Sequence, residues 1–191
     1  MRTYLEHTLG FTLTLVLLLL VLTLTSCGPD APVMPDLADS TLPFPATPDQ
    51  LMLNFQTAYA ARDLAGYAAT LHPDFSFVET TGGSYGRDVE LRIAARMFSG
   101  EDKVTPAGRI AGIARIEVVA FHGAGDWTAA DGDGDQLQRT YEVHLRFHRN
   151  DEGVMVVRGA CVVTVRRDGI ELGGGVVRDG WRIVRLVDGT G

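Results

Sequence analysis

The hydrophobic period changes once along this chain, and that change restricts the fold more than any other feature. Between residues 47 and 99 the apolar positions recur at helical spacing. Leu51, Phe55 and Tyr59 stand four apart with Ala58 beside them, which makes one apolar face of a first helix. Before them, Thr47 suits a cap, Pro48 the first helical position, and Gln50 completes a capping box. Asp63 is placed to cap a second helix over "DLAGYAATLH", with Leu64, Tyr67 and Leu71 on its buried side and Pro73 as its stop. A third helix over "RDVELRIAARMF" carries Val89, Ile93 and Met97 on one stripe, widened by Leu91, Ala94 and Phe98, and Gly100 ends it. Between the second and third helices, "DFSFVE" reads as a short strand and "TTGGSYG" as a turn.

From about residue 109 the period becomes two. "RIAGIARIEVVAFH" reads as a long, Gly-bent strand. "TYEVHLRFH" alternates without a break: Tyr141, Val143, Leu145 and Phe147 on one face, Glu142, His144, Arg146 and His148 on the other. "NDEG" is a hairpin turn, "VMVVRGACVVTVRR" returns, and "WRIVRLVD" closes the chain. Helices followed by long strands predict an α+β fold, with three N-terminal helices packed on a curved antiparallel sheet. In "WRIVRLVD", alternation sets Trp181, Ile183 and Arg185 against Arg182, Val184 and Leu186, so neither face is purely polar. That pattern predicts cover on both faces of the last strand, and a homodimer formed sheet to sheet would supply it.

The amino terminus is of another kind. Residues 11–25, "FTLTLVLLLLVLTLT", are apolar apart from threonines and are short for a membrane span, which needs about 20 residues. They follow a start containing Arg2 and end at "LTSC", where Cys27 comes after an aliphatic residue and two small ones. This arrangement resembles a bacterial lipobox. It implies a signal peptide over residues 1–26, cleavage before Cys27, and acylation of the Cys27 thiol. Multiple acyl chains would give stable membrane anchoring. Gly28, rather than an aspartate, follows the cysteine; by the same resemblance this implies the periplasmic face of the outer membrane in a Gram-negative cell. Residues 28–46 hold five prolines and no period, so residues 27–46 read as a lipidated cysteine and an extended tether. The domain then spans residues 47–188.

Formal net charge is −7, from 17 basic and 24 acidic residues. With no basic stripe interleaved with aromatics, nucleic acid is excluded as a partner. With Cys27 acylated, Cys161 has no partner for a disulfide. Its setting in "GACVVTV" makes it a buried small hydrophobe rather than a nucleophile.

"LMLNFQTAYAARDLAGYAATLHPDFSFV", "GRDVELRIAARMF" and the closing "DGWRIVRLVD" together resemble the nuclear transport factor 2-like superfamily, which includes SnoaL-like cyclases. The resemblance covers roughly residues 47–188 and implies a cone, in which a strongly curved sheet wraps helices and leaves a pocket at its open end. That fold hosts isomerases, dehydratases, cyclases and binding modules, so activity must be argued from the site. Tyr59, Tyr67, Phe75, Met97 and Trp181 are the candidates to line such a pocket.

No residue is singled out as catalytic, and no metal or cofactor is expected. The series Glu142, His144, Arg146 and His148 is read as a salt-bridged outer face or a dimer contact. His72 and Asp74, around Pro73, are read as groups that satisfy a helix end and start a turn. Asp131, Asp133, Asp135 and Glu142 fall at the first, third, fifth and twelfth positions of a calcium loop. The sixth position is Gln136 where glycine is needed, and the flanks are strands, so the segment reads as a solvated hairpin loop. The functional reading is a membrane-anchored lipoprotein whose domain binds a small apolar ligand or acts as a scaffold. The alternative is a lyase or isomerase using an Asp or His in the cone pocket.

Overall fold

The computed structural model describes residues 42–130, 133–172 and 174–189. Cys27, the apolar run before it and Asp131 lie outside these. Helix α1 (Pro48–Ala61) starts where the sequence asks: Thr47 is extended, and its hydroxyl accepts the Gln50 N–H at 3.1 Å. The return half of the capping box is not made, because the Gln50 amide donates to Asn54 Oδ1 instead, at 2.8 Å. Asp63 caps α2 (Leu64–Thr70) by accepting the Gly66 N–H at 2.9 Å. This helix ends sooner than expected. Leu71 and His72 already belong to strand β1 (Leu71–Val78), since a residue before proline is driven toward extended backbone.

Strand β2 (Ser84–Gly86) pairs antiparallel with β1, so part of the expected turn is sheet. Helix α3 (Arg87–Ser99) buries Leu91, Ile93, Ala94 and Phe98 and stops at Gly100, whose φ is 70°. Strands β3 (Lys103–Thr105) and β4 (Gly108–Ile110) make a separate hairpin. The long strand expected from residue 109 is therefore interrupted. At the break, a Cβ on Gly112 would lie 2.3 Å from the Gly100 carbonyl oxygen, so only glycine fits. The sheet resumes with β5 (Ile113–Ala130), β6 (Asp133–Arg149), β7 (Val154–Glu171) and β8 (Val177–Asp188).

The strand order is β2-β1-β8-β7-β6-β5. Strand β1 runs parallel to β8 and the other neighbours are antiparallel, so the sheet is mixed and not antiparallel throughout. Alternation fixes which residues share a face but carries no information on strand direction. On the inner face Tyr141, Leu145, Phe147, Val157, Cys161, Val163 and Val165 meet Leu51, Phe55, Tyr67, Leu91 and Phe98 of the helices. Burial pushes the Cys161 thiol up to about 12, as suits a core residue. On the outer face Glu117 receives His148 at 3.0 Å and Arg146 at 3.5 Å, and Arg158 reaches His144 at 3.3 Å. The polar series is thus tied into an ion-paired outer face.

One irregularity overturns the simple reading of the last strand. Thr164 pairs with Arg185 but Val165 pairs with Ile183, which leaves Val184 as an extra residue. The bulge shifts the alternation by one, so Ile183 and Leu186 both turn into the core. Leu186 thus joins the inner face, while Val184 and Val187 stay half-buried on the outer one. Strand β1 bulges at the same place: Leu71 pairs with Ile183 and Ser76 with Arg185, so His72–Phe75 bow away from the sheet.

The packed unit begins before Thr47. Pro45 continues the sheet edge below Leu71, its carbonyl accepting the Trp181 N–H at 3.0 Å. The Asn54 amide donates to the Pro43 carbonyl at 2.6 Å, and the Arg178 guanidinium lies 4.2 Å from the Phe44 ring centroid. Residues 42–46 are thus a strap fastened to α1 and β8 rather than free tether.

Candidate functional site

The strap encloses a hollow of about 280 Å³ between itself, α1, the end of α2 and the β7–β8 turn. Prolines 43 and 45 fix two of the strap's φ angles and so stiffen it. Leu42, Phe44, Leu51 and Ile170 supply the apolar wall; Asn54, Thr70 and Arg182 supply polar atoms. Two of these three are committed to the protein. Asn54 accepts from Gln50 and donates to Pro43, and the Thr70 hydroxyl donates to the Tyr67 carbonyl at 2.6 Å. Arg182 is different. It makes no hydrogen bond or ion pair among the described residues, and its Nε is buried without a partner. Burial lowers the guanidinium's affinity for its proton, partly opposed by the charge of Asp168. Arg87, at the start of α3, is near enough that Arg182 adds to the effect of burial in lowering it as well. Arg87 donates to the Ala68 carbonyl at 3.0 Å, and its Nε too is buried and unpaired.

A second hollow of about 280 Å³ lies on the outer sheet face. Asp74, Ser76, Gln138, Thr164, Arg185 and Val187 are among its lining residues. At its edge the β1 bulge holds His72, which is 2 % exposed. Its Nδ1 accepts the Asp74 N–H at 2.9 Å, so Nε2 carries the proton and donates to Asp168 Oδ2 at 2.9 Å. Arg166 also touches Nε2 and reaches Asp74 Oδ2 at 3.3 Å. Burial lowers the His72 pKa; Asp168 opposes this and Arg166 adds to it. The expected role of His72 as a helix-end cap is corrected, since the bulge turns it toward β7 and away from the α2 carbonyls. For Asp168 burial works upward, but the bonds from His72 and from the Gly169 N–H prevail and hold the carboxyl below the usual range.

The third polar group sits inside the cone. Glu90, on the same α3 stripe as Ala94 and Met97, accepts the Tyr67 hydroxyl at 2.6 Å. The buried Tyr85 hydroxyl lies beside the same carboxyl. Burial raises the Glu90 pKa, and the two hydroxyls pull it partly back. Burial first, then the nearby Glu90 charge, pushes both Tyr59 and Tyr67 upward. A carboxyl that keeps its proton more readily than usual, bonded to a phenol, is equipped to exchange protons.

The five residues expected to line a pocket are placed as follows. Tyr67 and Phe75 are fully enclosed in the core, and Tyr59, Met97 and Trp181 pack against it half-buried. The Tyr59 hydroxyl donates to Met97 Sδ at 3.7 Å. Tyr59, Tyr67 and Met97 thus meet around Glu90, while Trp181 stands beside the strap. None of the five lines either hollow. Glu90, Arg87 and Arg182 were missed; only the positions of Glu90 and Arg182 within apolar patterns hinted at them. Glu90 is a carboxylate on a buried helical stripe, and Arg182 interrupts the apolar residues of the closing strand. In the acidic segment, Asp133 and Asp135 fall within β6 rather than in a loop. Among the described residues no cluster of three or more His, Cys, Asp or Glu side chains could hold a metal ion.

Helices seated on the inner face of a strongly curved mixed sheet define an α+β cone, and the chain has the nuclear transport factor 2-like fold. A conserved protein of Planctomyces limnophilus aligns at 11 % identity over 73 % of this chain and 90 % of its own, with a TM-score of 0.52. A provisional aromatic ring hydroxylase of Novosphingobium aromaticivorans aligns at 15 % identity over 73 % and 82 %, with a TM-score of 0.50. An NTF2-like protein of unknown function in nutrient uptake from Rhodospirillum rubrum aligns at 16 % identity over 72 % and 92 %, with a TM-score of 0.47. No family model and no curated protein matches the sequence.

Proposed function

We propose that this chain is a lipid-anchored protein of the bacterial cell envelope whose cone domain binds a small ligand with an apolar body and performs no chemistry on it. The observation that carries the binding reading is the hollow under the strap, where apolar walls surround a polar side chain, Arg182, that makes no hydrogen bond among the described residues. At about 280 Å³ it suits a small molecule, at the low end of ligand sites. A saturable signal in ligand-observed NMR from short-chain alcohols added to the full-length chain supports the reading, and transfer to no member of such a series counts against it. Anchoring rests on "LTSC". In Cys27→Ala the precursor stays unprocessed and takes no fatty-acid label, whereas unchanged processing and labelling contradicts the anchor. The membrane is the first partner, and for a Gram-negative cell the reading is the periplasmic face of the outer membrane.

The Glu90–Tyr67 bond favours a second reading, a proton-transferring lyase or isomerase. Under it, Glu90→Gln abolishes turnover of whatever substrate is found, while binding persists. A homodimer also stays open, with Val154 and Val156, exposed on the outer face of β7, as its contact.

A further inference from the structure

We infer that the hollow under the strap takes a small monocarboxylate, its carboxylate on Arg182 and its hydrocarbon tail among Leu42, Phe44, Leu51 and Ile170. This rests on the small-ligand reading above and names the ligand class. The polar groups of the hollow narrow the choice. Asn54 and Thr70 are engaged with the protein, so the free donors are those of Arg182. A guanidinium offers parallel N–H groups that match a carboxylate's two oxygens, and the half-buried Arg182, with its Nε buried and unpaired, gains from such a pair.

Charge balance points the same way. A buried cation is normally paired. Here the charges of Arg182 and Arg87 act on each other, Asp168 offsets burial at the one and Asp88 at the other only in part, and no ion pair joins either guanidinium to a carboxylate among the described residues. Glu171 also borders the hollow but is exposed at the end of β7, and the carboxylate that acts on Arg182 is Asp168, not Glu171. One bound anion would relieve the repulsion between Arg182 and Arg87. A monoanion fits better than a polyanion, because one guanidinium lines the space and the protein as a whole is acidic at −7. The even mix of apolar wall and polar head excludes a bare inorganic ion as the best occupant, since such an ion would leave the wall unfilled.

The experiment is equilibrium dialysis of the purified full-length chain in non-ionic detergent, with protein-free micelles as the blank. The probes are hexanoate and its neutral counterpart hexan-1-ol. The expected result is that the protein retains hexanoate, that Arg182→Met weakens it at least tenfold, and that Arg182→Met still retains hexan-1-ol. Arg182→Lys, which keeps the charge but loses the fork, falls between the two, and Arg185→Met at the outer hollow changes nothing. Retention of hexan-1-ol with no preference for hexanoate, or undiminished hexanoate binding by folded Arg182→Met, overturns the carboxylate assignment and leaves the small-ligand reading standing. If neither probe is retained, both readings fall. Circular dichroism confirms the fold of each variant, and Arg182→Lys decides the matter should Arg182→Met not fold.

Discussion

The hollow under the strap and the hollow on the outer face are equal in volume, about 280 Å³ each, and treat charge in opposite ways. On the outer face, Asp74 and Arg185 are exposed to water, and the neighbouring His72, Asp168 and Arg166 satisfy one another. The charges there are hydrated or already bonded within the protein. Under the strap a partly buried guanidinium has no partner among the described residues. Volume alone does not distinguish a binding site from a dent between strands. An uncompensated donor does, because a ligand that satisfies it gains what the empty protein gives up.

The largest expected effect separates the two hollows by packing. Leu51 is 0 % exposed and serves as both core and hollow floor. Leu51→Ala should lower unfolding stability in urea by about 2–5 kcal/mol. Val187→Ala, at the half-exposed outer hollow, should cost less than about 1 kcal/mol. Equal losses would mean that the strap hollow is as loosely built as the outer one.

The next effect concerns the outer cluster and pH. The folded His72 pKa is lowered, so the unfolded chain takes up a proton first as the solution is acidified. Stability is full above the ordinary histidine value of about 6.5 and is lost as pH falls through it toward the folded pKa. His72→Gln should be less stable at pH 7 by about 1–3 kcal/mol through its lost hydrogen bonds. It should also show a smaller fall in Tm between pH 7 and pH 5 than the parent. An unchanged slope would mean that His72 is not the group titrating there.

Glu90 should act in the other direction. Its folded pKa is raised, so folding favours the protonated form, and stability falls as pH rises through the ordinary carboxylate value toward the folded one. Glu90→Gln keeps an acceptor for Tyr67 and removes the charge. The variant should melt higher than the parent at pH 7 and match it near pH 4. A lower Tm at pH 7 would show that the charged carboxylate supports the core. The smallest effect is on the exposed outer strand: Val156→Arg should change stability by less than about 0.5 kcal/mol. Light scattering on the same variant tests the dimer, which requires a parent mass twice that of the chain and a variant reduced to one.

Much of the fold could be read from the sequence because it rests on periodicity. The α1 face, the α3 stop at Gly100 and the inner face of β6 follow from spacing alone. The misreadings share a physical cause, which is that each depends on a neighbour distant in the chain. The bulge at Val184 exists only against β7 and β1, and it moved Leu186 to the other face. The parallel pairing of β1 with β8 joins segments over a hundred residues apart. His72 was assigned to a helix end because its partner, Asp168, is 96 positions away. Tyr59, Tyr67 and Met97 meet inside the cone, but none of them lines either hollow. The charged groups that define the sites were passed over, because unpaired burial is a property of the assembled structure and not of a sequence window.

The central claim is that Arg182 is a half-buried cation that takes a carboxylate, and melting the full-length chain and Arg182→Met with and without hexanoate tests it most directly. A half-buried charge with an unpaired Nε contributes little to folding, so Arg182→Met, which fills similar space without it, should melt at or above the parent. Hexanoate should raise the parent's Tm and leave the variant's where it is. A variant that melts well below the parent, with hexanoate shifting neither or both alike, would show that Arg182 is already satisfied within the fold and holds no ligand.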